Sequence, residues 1–542
     1  MQTFDFIVVG AGSAGCVLAN RLSEDGRHRV LLIEAGGGDA HPVYRFPVLA
    51  GVAYWRRSSN WNYVTEPQPG LDGRQIKWPR GRMLGGSSSI NGMMYMRGNA
   101  ADYDQWAQMG LPGWSYAEVL PYFRRSECAP ERAGSPFHGT GGELRVTRAR
   151  GDNPLYAAFL AAGAACGHPA NDDFNGARQE GLGLYDFNIR NGRRESAATA
   201  FLRPARDRAN LEVWTDTLAT RIGIVEGRAA FLDILRRGAA QRVGVRGEIV
   251  LAGGAINSPQ RLMLSGIGPA AALKAAGIAP LVDAPDVGRN LQDHLGVYLT
   301  YACNAPITLF RLFRPDVAAL AFARAALFGT GPAAAVPLEA GGFLRTRPEL
   351  ALPDIHITFV PGLSLETTQA GQGRHGYLIN FYQLRPESRG TLRLAGPDPA
   401  ASPLIDPAYL TAEADRRCLR DGVRLARAIG EAPALARYKA AEISPRPEDL
   451  ADDAAIDAWV RQGANTIFHP VGTCRMGADA GAVVDAELRV RGVAGLRVAD
   501  ASVMPLIVGG NTSAPVMMIA EKAADLLLGR PALPAAELAG AA

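Results

Sequence analysis

The chain has 542 residues, enough for about two to four domains, and its 47% apolar and 20% charged residues exclude a disordered chain. Of its 57 basic residues only Lys77, Lys274, Lys439 and Lys522 are lysine, the net charge is +4, and no basic block occurs, which argues against nucleic acid as a partner. The 62 glycines follow no collagen period, so they predict tight turns and close approach of backbone to a ligand.

Phe4 to Val9 reads as a short buried strand, Gly10-Ala11-Gly12-Ser13-Ala14-Gly15 as a glycine turn, and Cys16 to Leu22 as a helix. A second strand, Arg29 to Ile33, ends in Glu34-Ala35-Gly36. This β–turn–α–β unit carries G-x-G-x-x-G with an acid after its second strand, and predicts a bound dinucleotide. Gly10 makes the turn, Gly12 admits a pyrophosphate, and Gly15 lets the helix lie close to the strand. The helix N-terminus at Ser13 and Ala14 faces the phosphates, and Glu34 can accept from ribose hydroxyls. The unit does not separate NAD from FAD.

Trp78 to Gly92 is dense in Gly, Ser and Asn yet carries Trp78, Met83, Leu84 and Ile90, which fits a backbone wrapped round a ligand. Ile249 to Ala255 predicts a further strand and turn reaching that ligand through Ala252 and Gly253, with Ser258-Pro259 opening an apolar helix. Between 300 and 455 the texture changes. Val317 to Leu327 and Ala412 to Ile429 read as helices, while Asp354 to Val360, Gly376 to Leu384 and Arg389 to Leu394 read as strands. This predicts an antiparallel sheet with helices, packed on the dinucleotide domain. Near the end come a loop, Phe468 to Gly477, a strand, Leu496 to Ala501, and a helix, Val516 to Leu528. Asn511 or Thr512 is the expected N-cap of that helix, with Pro515 in its first turn.

The six cysteines are scattered and the eight histidines lack metal-ligand spacing, so no metal is expected. No G-x-S-x-G stands on a strand–helix elbow, which argues against a serine hydrolase. His469 and His294 rank side by side as candidates for chemistry; on spacing alone neither is set apart from a structural histidine. Met1 to Asp5 leads straight into an apolar run without a charged leader, and no uninterrupted apolar stretch is long enough to span a bilayer. The expected location is cytoplasmic, with peripheral association at the inner membrane as the variant.

The glycine fingerprint, the loop at 78–98, Gly288 to His294, the 468–477 loop and the 500–521 end together resemble the glucose–methanol–choline (GMC) oxidoreductase family, in its order and over nearly the whole chain. They are most similar to its bacterial FAD-dependent alcohol, choline and L-sorbose dehydrogenases. The resemblance implies an α/β chain (α+β overall): a Rossmann-like FAD-binding domain and a substrate domain on a mostly antiparallel sheet flanked by helices. On it the FAD-binding domain takes 1–155, 191–300 and 461–530, the substrate domain takes 156–190 and 301–460, and 531–542 is a tail.

Carried over residue by residue, the resemblance makes His469 the catalytic base and Asn511 the second active-site position, and leaves His294 structural. It lays Trp61, Gly85, Gly86, Asn91, Gly92 and Met94 along the flavin, with Arg82 and Met93 in the same loop. Ala219 falls on the adenine side, Asp500 and Ala501 at the second phosphate and ribityl chain, and Thr512 at the helix aimed at the flavin. Ile90 stands where some members tether the flavin to histidine, so non-covalent FAD is expected. The implied activity is oxidation of primary alcohols to aldehydes, with electrons passing to a quinone or dye. An oxidase, a choline- or sorbose-type dehydrogenase, a redox-silent lyase and a binding module with vestigial FAD are the rivals. No carboxylate or aromatic cage for choline can be named from the sequence.

Overall fold

A computed structural model describes residues 1–363 and 374–537. The chain opens on β1 (Thr3–Val9), α1 (Ser13–Ser23) and β2 (Val30–Ile33). Later come β3 (Leu211–Trp214), β4 (Thr217–Val225), β5 (Arg228–Arg236), β6 (Ala239–Leu251) and α2 (Gly254–Leu264). They are followed by β7 (Leu295–Cys303), α3 (Pro315–Phe328), β8 (Ala340–Leu344), β9 (Ile355–Val360), β10 (Gly376–Gln383), α4 (Glu413–Glu431) and β11 (Lys439–Ser444). β12 (Asn465–Thr466), β13 (Leu496–Val498) and α5 (Ser513–Leu527) complete the framework.

The first sheet has a parallel part in the order β3-β2-β1-β6-β13, with Val8 between Leu32 and Val250. The first half of β6 turns back on β5 and β4 as an antiparallel meander. A parallel sheet is covered on both faces, so its strands are continuous apolar runs; all four residues of β2 are buried. α1 packs against α5 on this sheet, and the two are joined by a buried ion pair, Arg21 to Glu521 at 2.8 Å. Arg125 reaches the same carboxylate at 2.7 Å, so the buried acid is paired twice.

The second sheet runs β8-β9-β10-β7-β11, antiparallel throughout, with β12 added to β7. One face is covered by α4, where a Cβ on Gly422 would lie 2.3 Å from the Phe381 ring. The other face carries His356 opposite Tyr382 and Thr358 opposite Asn380, with Tyr298 on the far side of Asn380. This polar face looks into the cavity described below.

Four expectations change. α2 starts at Gly254 and contains Pro259 rather than starting there. The helix tolerates the proline because the Ala255 carbonyl, which has lost its amide partner, accepts from the Thr473 hydroxyl at 2.6 Å. Thr512 is the N-cap of α5, but neither it nor Asn511 supplies a capping side chain. The predicted strand at 389–394 shortens to Thr391–Arg393 and pairs only with Leu404–Asp406, outside the large sheet. β13 stops at Val498, and Asp500 instead caps a short turn by accepting from the Ser502 amide at 2.8 Å. Of the predicted tail, 531–537 runs back over the helix at 116–126, with Ala536 donating to the Ala117 carbonyl, and 538–542 lie outside the described residues.

Candidate active site

One long cavity runs from the glycine turn after β1 to the polar face of the second sheet. At the turn, Gly10 has φ +103°, where a side chain would be strained and its Cβ would lie 2.7 Å from the Ala252 oxygen. A Cβ on Gly86 would come within 2.7 Å of the Gly12 Cα, so a second glycine loop lies directly on the first. Gly12, the N-cap of α1, has no side-chain cap and presents the helix N-terminus to the cavity. Glu34 accepts from the amides of Ala11 at 3.0 Å and Gly36 at 2.9 Å, which ties the turn to β2. Burial pushes its carboxyl up to about 7.

The structure brings most of the predicted residues into the wall of this cavity. Gly10, Gly12, Ser13, Ala14, Glu34, Ala35, Trp61, Gly86, Asn91, Gly92, Met93, Met94, Ala219, Ala252, Gly253, Asp500, Ala501, Asn511, Thr512 and His469 all line it. Three do not, and each has another task. The Gly15 Cβ position lies 1.8 Å from the Gly10 oxygen, so this glycine exists for helix–strand contact. Gly85 donates to the Ala11 carbonyl at 2.7 Å and braces the turn from behind. Arg82 lays its guanidinium 5.0 Å above the Trp61 ring, and so supports an aromatic wall without lining it.

At the far end, His469 follows Phe468, which holds φ +68°, an uncommon left-handed conformation for a bulky residue. That backbone is pinned from several sides. The Phe468 amide donates to Thr466 Oγ1 at 2.8 Å and Arg80 Nη2 donates to the Phe468 carbonyl at 2.7 Å. The His469 amide donates to Asp293 Oδ1 at 2.7 Å. Asp293 also accepts from Thr466 and Tyr409 through Oδ2, and burial raises its carboxyl to about 6. His469 Nδ1 lies 3.0 Å from His294 Nδ1, and its Nε2 lies 3.1 Å from Asn511 Nδ2. Burial, together with His294, Arg80 and His356 nearby, holds the His469 imidazole well below the usual histidine range, so it is neutral.

Two polar atoms at the head of α5, Asn511 Oδ1 and Ser513 Oγ, are buried without a hydrogen-bond partner among the described residues. Together with two uncapped helix N-termini and open space at Gly12, this cradle fits a dinucleotide.

The sequence did not single out the residues that line the cavity from the second sheet. Tyr298, His356, Thr358, Asn380 and Tyr382 reach the cavity from alternate positions of β7, β9 and β10, joined by Tyr54 and Phe468. The available signal was polar residues at period two within otherwise apolar strands. Arg80 was also missed. It lines the cavity, bonds to the carbonyls of Pro79 and Phe468, and has no ion-pair partner among the described residues. Among the described residues the only acids in the wall are Glu34 and Asp500, both at the glycine-turn end.

Residues 4–296 and 386–520 match the two family models described as GMC oxidoreductase. The mitochondrial choline dehydrogenase of Homo sapiens is 44% identical over 98% of this chain and 90% of its own length. The oxygen-dependent choline dehydrogenase of Pseudomonas fluorescens (strain SBW25) is 44% identical over 98% and 95%. Among solved structures, pyridoxine 4-oxidase from Mesorbium loti superposes with a TM-score of 0.88 at 36% identity, covering 97% of this chain and 99% of that one. A formate oxidase of Aspergillus oryzae RIB40 gives 0.91 at 27% identity, covering 97% and 98%.

Proposed function

Because the chain belongs to the GMC oxidoreductase family, and is therefore an FAD-dependent oxidoreductase acting on CH–OH groups, we propose that its donors are neutral primary alcohols, aliphatic or benzylic, oxidised to aldehydes. The observation that carries this reading is the pairing of His469 Nε2 with Asn511 Nδ2 in the wall of the same cavity as the glycine turn. FAD, when bound, supplies the acceptor for the hydrogen leaving carbon with its electron pair. His469, neutral and buried, takes the hydroxyl proton on Nε2. Asn511 donates its amide hydrogen to the substrate oxygen and steadies the charge that develops there. Ser13 and Ala14 at the head of α1 would hold the pyrophosphate, and Glu34 the ribose; we propose the first sheet as the cofactor half and the second as the substrate half.

A cationic substrate fits the second half poorly. Arg80 brings a positive charge to its wall, and among the described residues no acid lines that half, although the buried Asp293 carboxyl acts on Arg80 from behind the wall. Tyr54, Tyr298, Tyr382 and Phe468 give an aromatic, uncharged surface, which suits benzylic and alkyl groups. Choline is the second reading, favoured by 44% identity to choline dehydrogenases and by aromatic rings that can face an ammonium. Anaerobic flavin bleaching with benzyl alcohol, 1-hexanol, choline and sorbose decides between them. A lead of more than about tenfold for choline or sorbose, beyond what a methylene-sized difference in pocket fit supplies, would refute the neutral-alcohol reading.

For the acceptor we propose a quinone, met at a membrane surface. Among the described residues no helix is long and apolar enough to cross a membrane. α3, however, exposes Leu320, Leu327 and Phe328, with Phe313 just before it, beside the exposed Arg311 and Arg324, while Arg314 is paired with the exposed Asp316 at 2.8 Å. An apolar face rimmed by arginines suits an anionic bilayer surface. Co-sedimentation with phosphatidylglycerol vesicles, abolished in Leu320→Asp/Leu327→Asp, is the expected result. Stoichiometric hydrogen peroxide at full speed in air would refute the quinone.

A further inference from the structure

We infer that His294 is a positioning residue for the base: its ring dictates which nitrogen of His469 carries the proton. The inference rests on the reading of His469 as the base, and it follows from hydrogen-bond chemistry along one line of atoms.

The line starts at a backbone carbonyl. Leu384 O lies 3.1 Å from His294 Nε2. A carbonyl only accepts, so His294 Nε2 carries the proton of that contact. His294 is fully buried, and burial holds its imidazole down to about 3, so the ring has one proton and its Nδ1 is a bare acceptor. That Nδ1 faces His469 Nδ1 at 3.0 Å. Two bare nitrogens at this distance would repel, and each would be left buried without a donor. His469 Nδ1 therefore carries a proton. The His469 ring is neutral and has no second proton to place, so its Nε2 keeps a free lone pair. That nitrogen faces the Asn511 amide at 3.1 Å, where a substrate hydroxyl would enter.

Both rings are fixed in the orientation this requires. Their planes cross at 87° with centroids 5.2 Å apart, so the Nδ1–H of one points along the lone pair of the other. Tyr382 lies 5.2 Å from the His294 ring, tilted by 31°, and blocks rotation on that side. The backbone repeats the link: Ile467 donates to the His294 carbonyl at 2.9 Å, and His469 donates to the carboxylate of the neighbouring Asp293. An imidazole without such a partner prefers its proton on Nε2, the form that cannot act as a base toward the cavity. The second ring and the carbonyl behind it override that preference. When His469 accepts the substrate proton, its Nδ1–H bond to His294 stays in place and becomes charge-assisted, and no further proton transfer is needed.

The test reads tautomers directly. In oxidised holoenzyme labelled with ¹⁵N-histidine, the His469 resonances are identified by their loss in His469→Ala and the His294 resonances by their loss in His294→Leu. We expect His469 to show a protonated Nδ1 and an unprotonated Nε2, and His294 the reverse. His469 protonated at Nε2 in the wild-type enzyme would overturn the inference, whether or not either variant folds. Kinetically, His294→Leu that keeps FAD should slow anaerobic flavin reduction by at least about tenfold, below the roughly 10⁴-fold cost of a wholly wrong tautomer, with KM changed less than about threefold. Wild-type reduction rates in that variant would also overturn it. Failure of the base reading looks different: His469→Ala would then reduce its flavin at the wild-type rate while the tautomer pattern stood.

Discussion

Alanine at Gly12 and at Gly15 should separate the two reasons for glycine in the turn after β1. At Gly15 a Cβ would sit 1.8 Å from the Gly10 carbonyl oxygen and 2.9 Å from its carbon. Both are backbone atoms, and contact normally begins near about 3.5 Å, so α1 must withdraw by roughly 1.5 Å. Overpacking of this kind costs about 1–3 kcal/mol, against the roughly 1 kcal/mol that alanine gains over glycine inside a helix. At Gly12 the nearest atom to a Cβ is the Ala252 oxygen at 4.0 Å, and φ −80°, ψ −159° is open to alanine. Gly12→Ala should therefore leave the apoprotein within about 0.5 kcal/mol of wild type. Its methyl enters the cavity, so the same 1–3 kcal/mol falls on FAD instead, or about 5–150-fold in Kd. Thermal unfolding of the apoproteins and titration of flavin fluorescence quenching give the two numbers. Wild-type FAD affinity in Gly12→Ala, or an apoprotein as destabilised as Gly15→Ala, would refute the division of labour.

His469→Ala should keep FAD yet slow alcohol-driven flavin reduction by roughly 10²–10⁴-fold in anaerobic stopped flow, the range for a lost general base. Acid precipitation should leave the yellow colour in solution, because Ile90 offers no nucleophile for a tether; a yellow pellet would contradict this. The buried carboxyls of Glu34 and Asp293 are raised to about 7 and about 6. The folded state thus binds more protons than the unfolded one between pH 4 and 7, and stability is lost as pH rises through these values. For Glu34 the loss is on the order of 3 kcal/mol at 1.36 kcal/mol per pH unit. Apoprotein melting midpoints should therefore fall from pH 5 to pH 8, and fall less in Glu34→Gln; a midpoint that rises over this range would reverse the sign.

What the sequence discloses and what it hides divide along physical lines. The β1–turn–α1–β2 unit is readable because its causes are local. A strand buried on both faces must be apolar throughout, as Val30 to Ile33 are, and a turn at φ +103° must be glycine, as Gly10 is. The start of α2 is hidden because its cause is distant. Pro259 reads as a helix opener until the Thr473 hydroxyl, from another part of the chain, is seen to take the Ala255 carbonyl. The N-cap of α5 misleads for a functional reason. Asn511 and Thr512 are good capping residues, yet the helix end is left uncapped and two polar atoms there have no partner among the described residues, as a helix end kept open for a ligand requires.

The same division explains why family is easier to read than substrate. The cofactor half is built from contiguous segments whose glycines meet backbone constraints, so each segment announces itself. The half we propose for the substrate is built from single residues on three strands of the second sheet, where His356 and Tyr382 meet only through register. Alternation marks them as one face, but nothing local says whether that face looks at solvent or into a cavity. His294 is the sharpest case. By itself it is a buried histidine of ordinary appearance, and its weight comes from three distances: 3.1 Å to Leu384, 3.0 Å to His469 and, beyond that ring, 3.1 Å to Asn511. Arg80 is the complement. Its charge is visible in the sequence, but its place in the cavity wall, where the described residues at that end include no acid, appears only in the folded chain. On the proposed reading, the charge that decides the substrate comes from residues on segments distant in sequence, which is why no single stretch of the chain announces it.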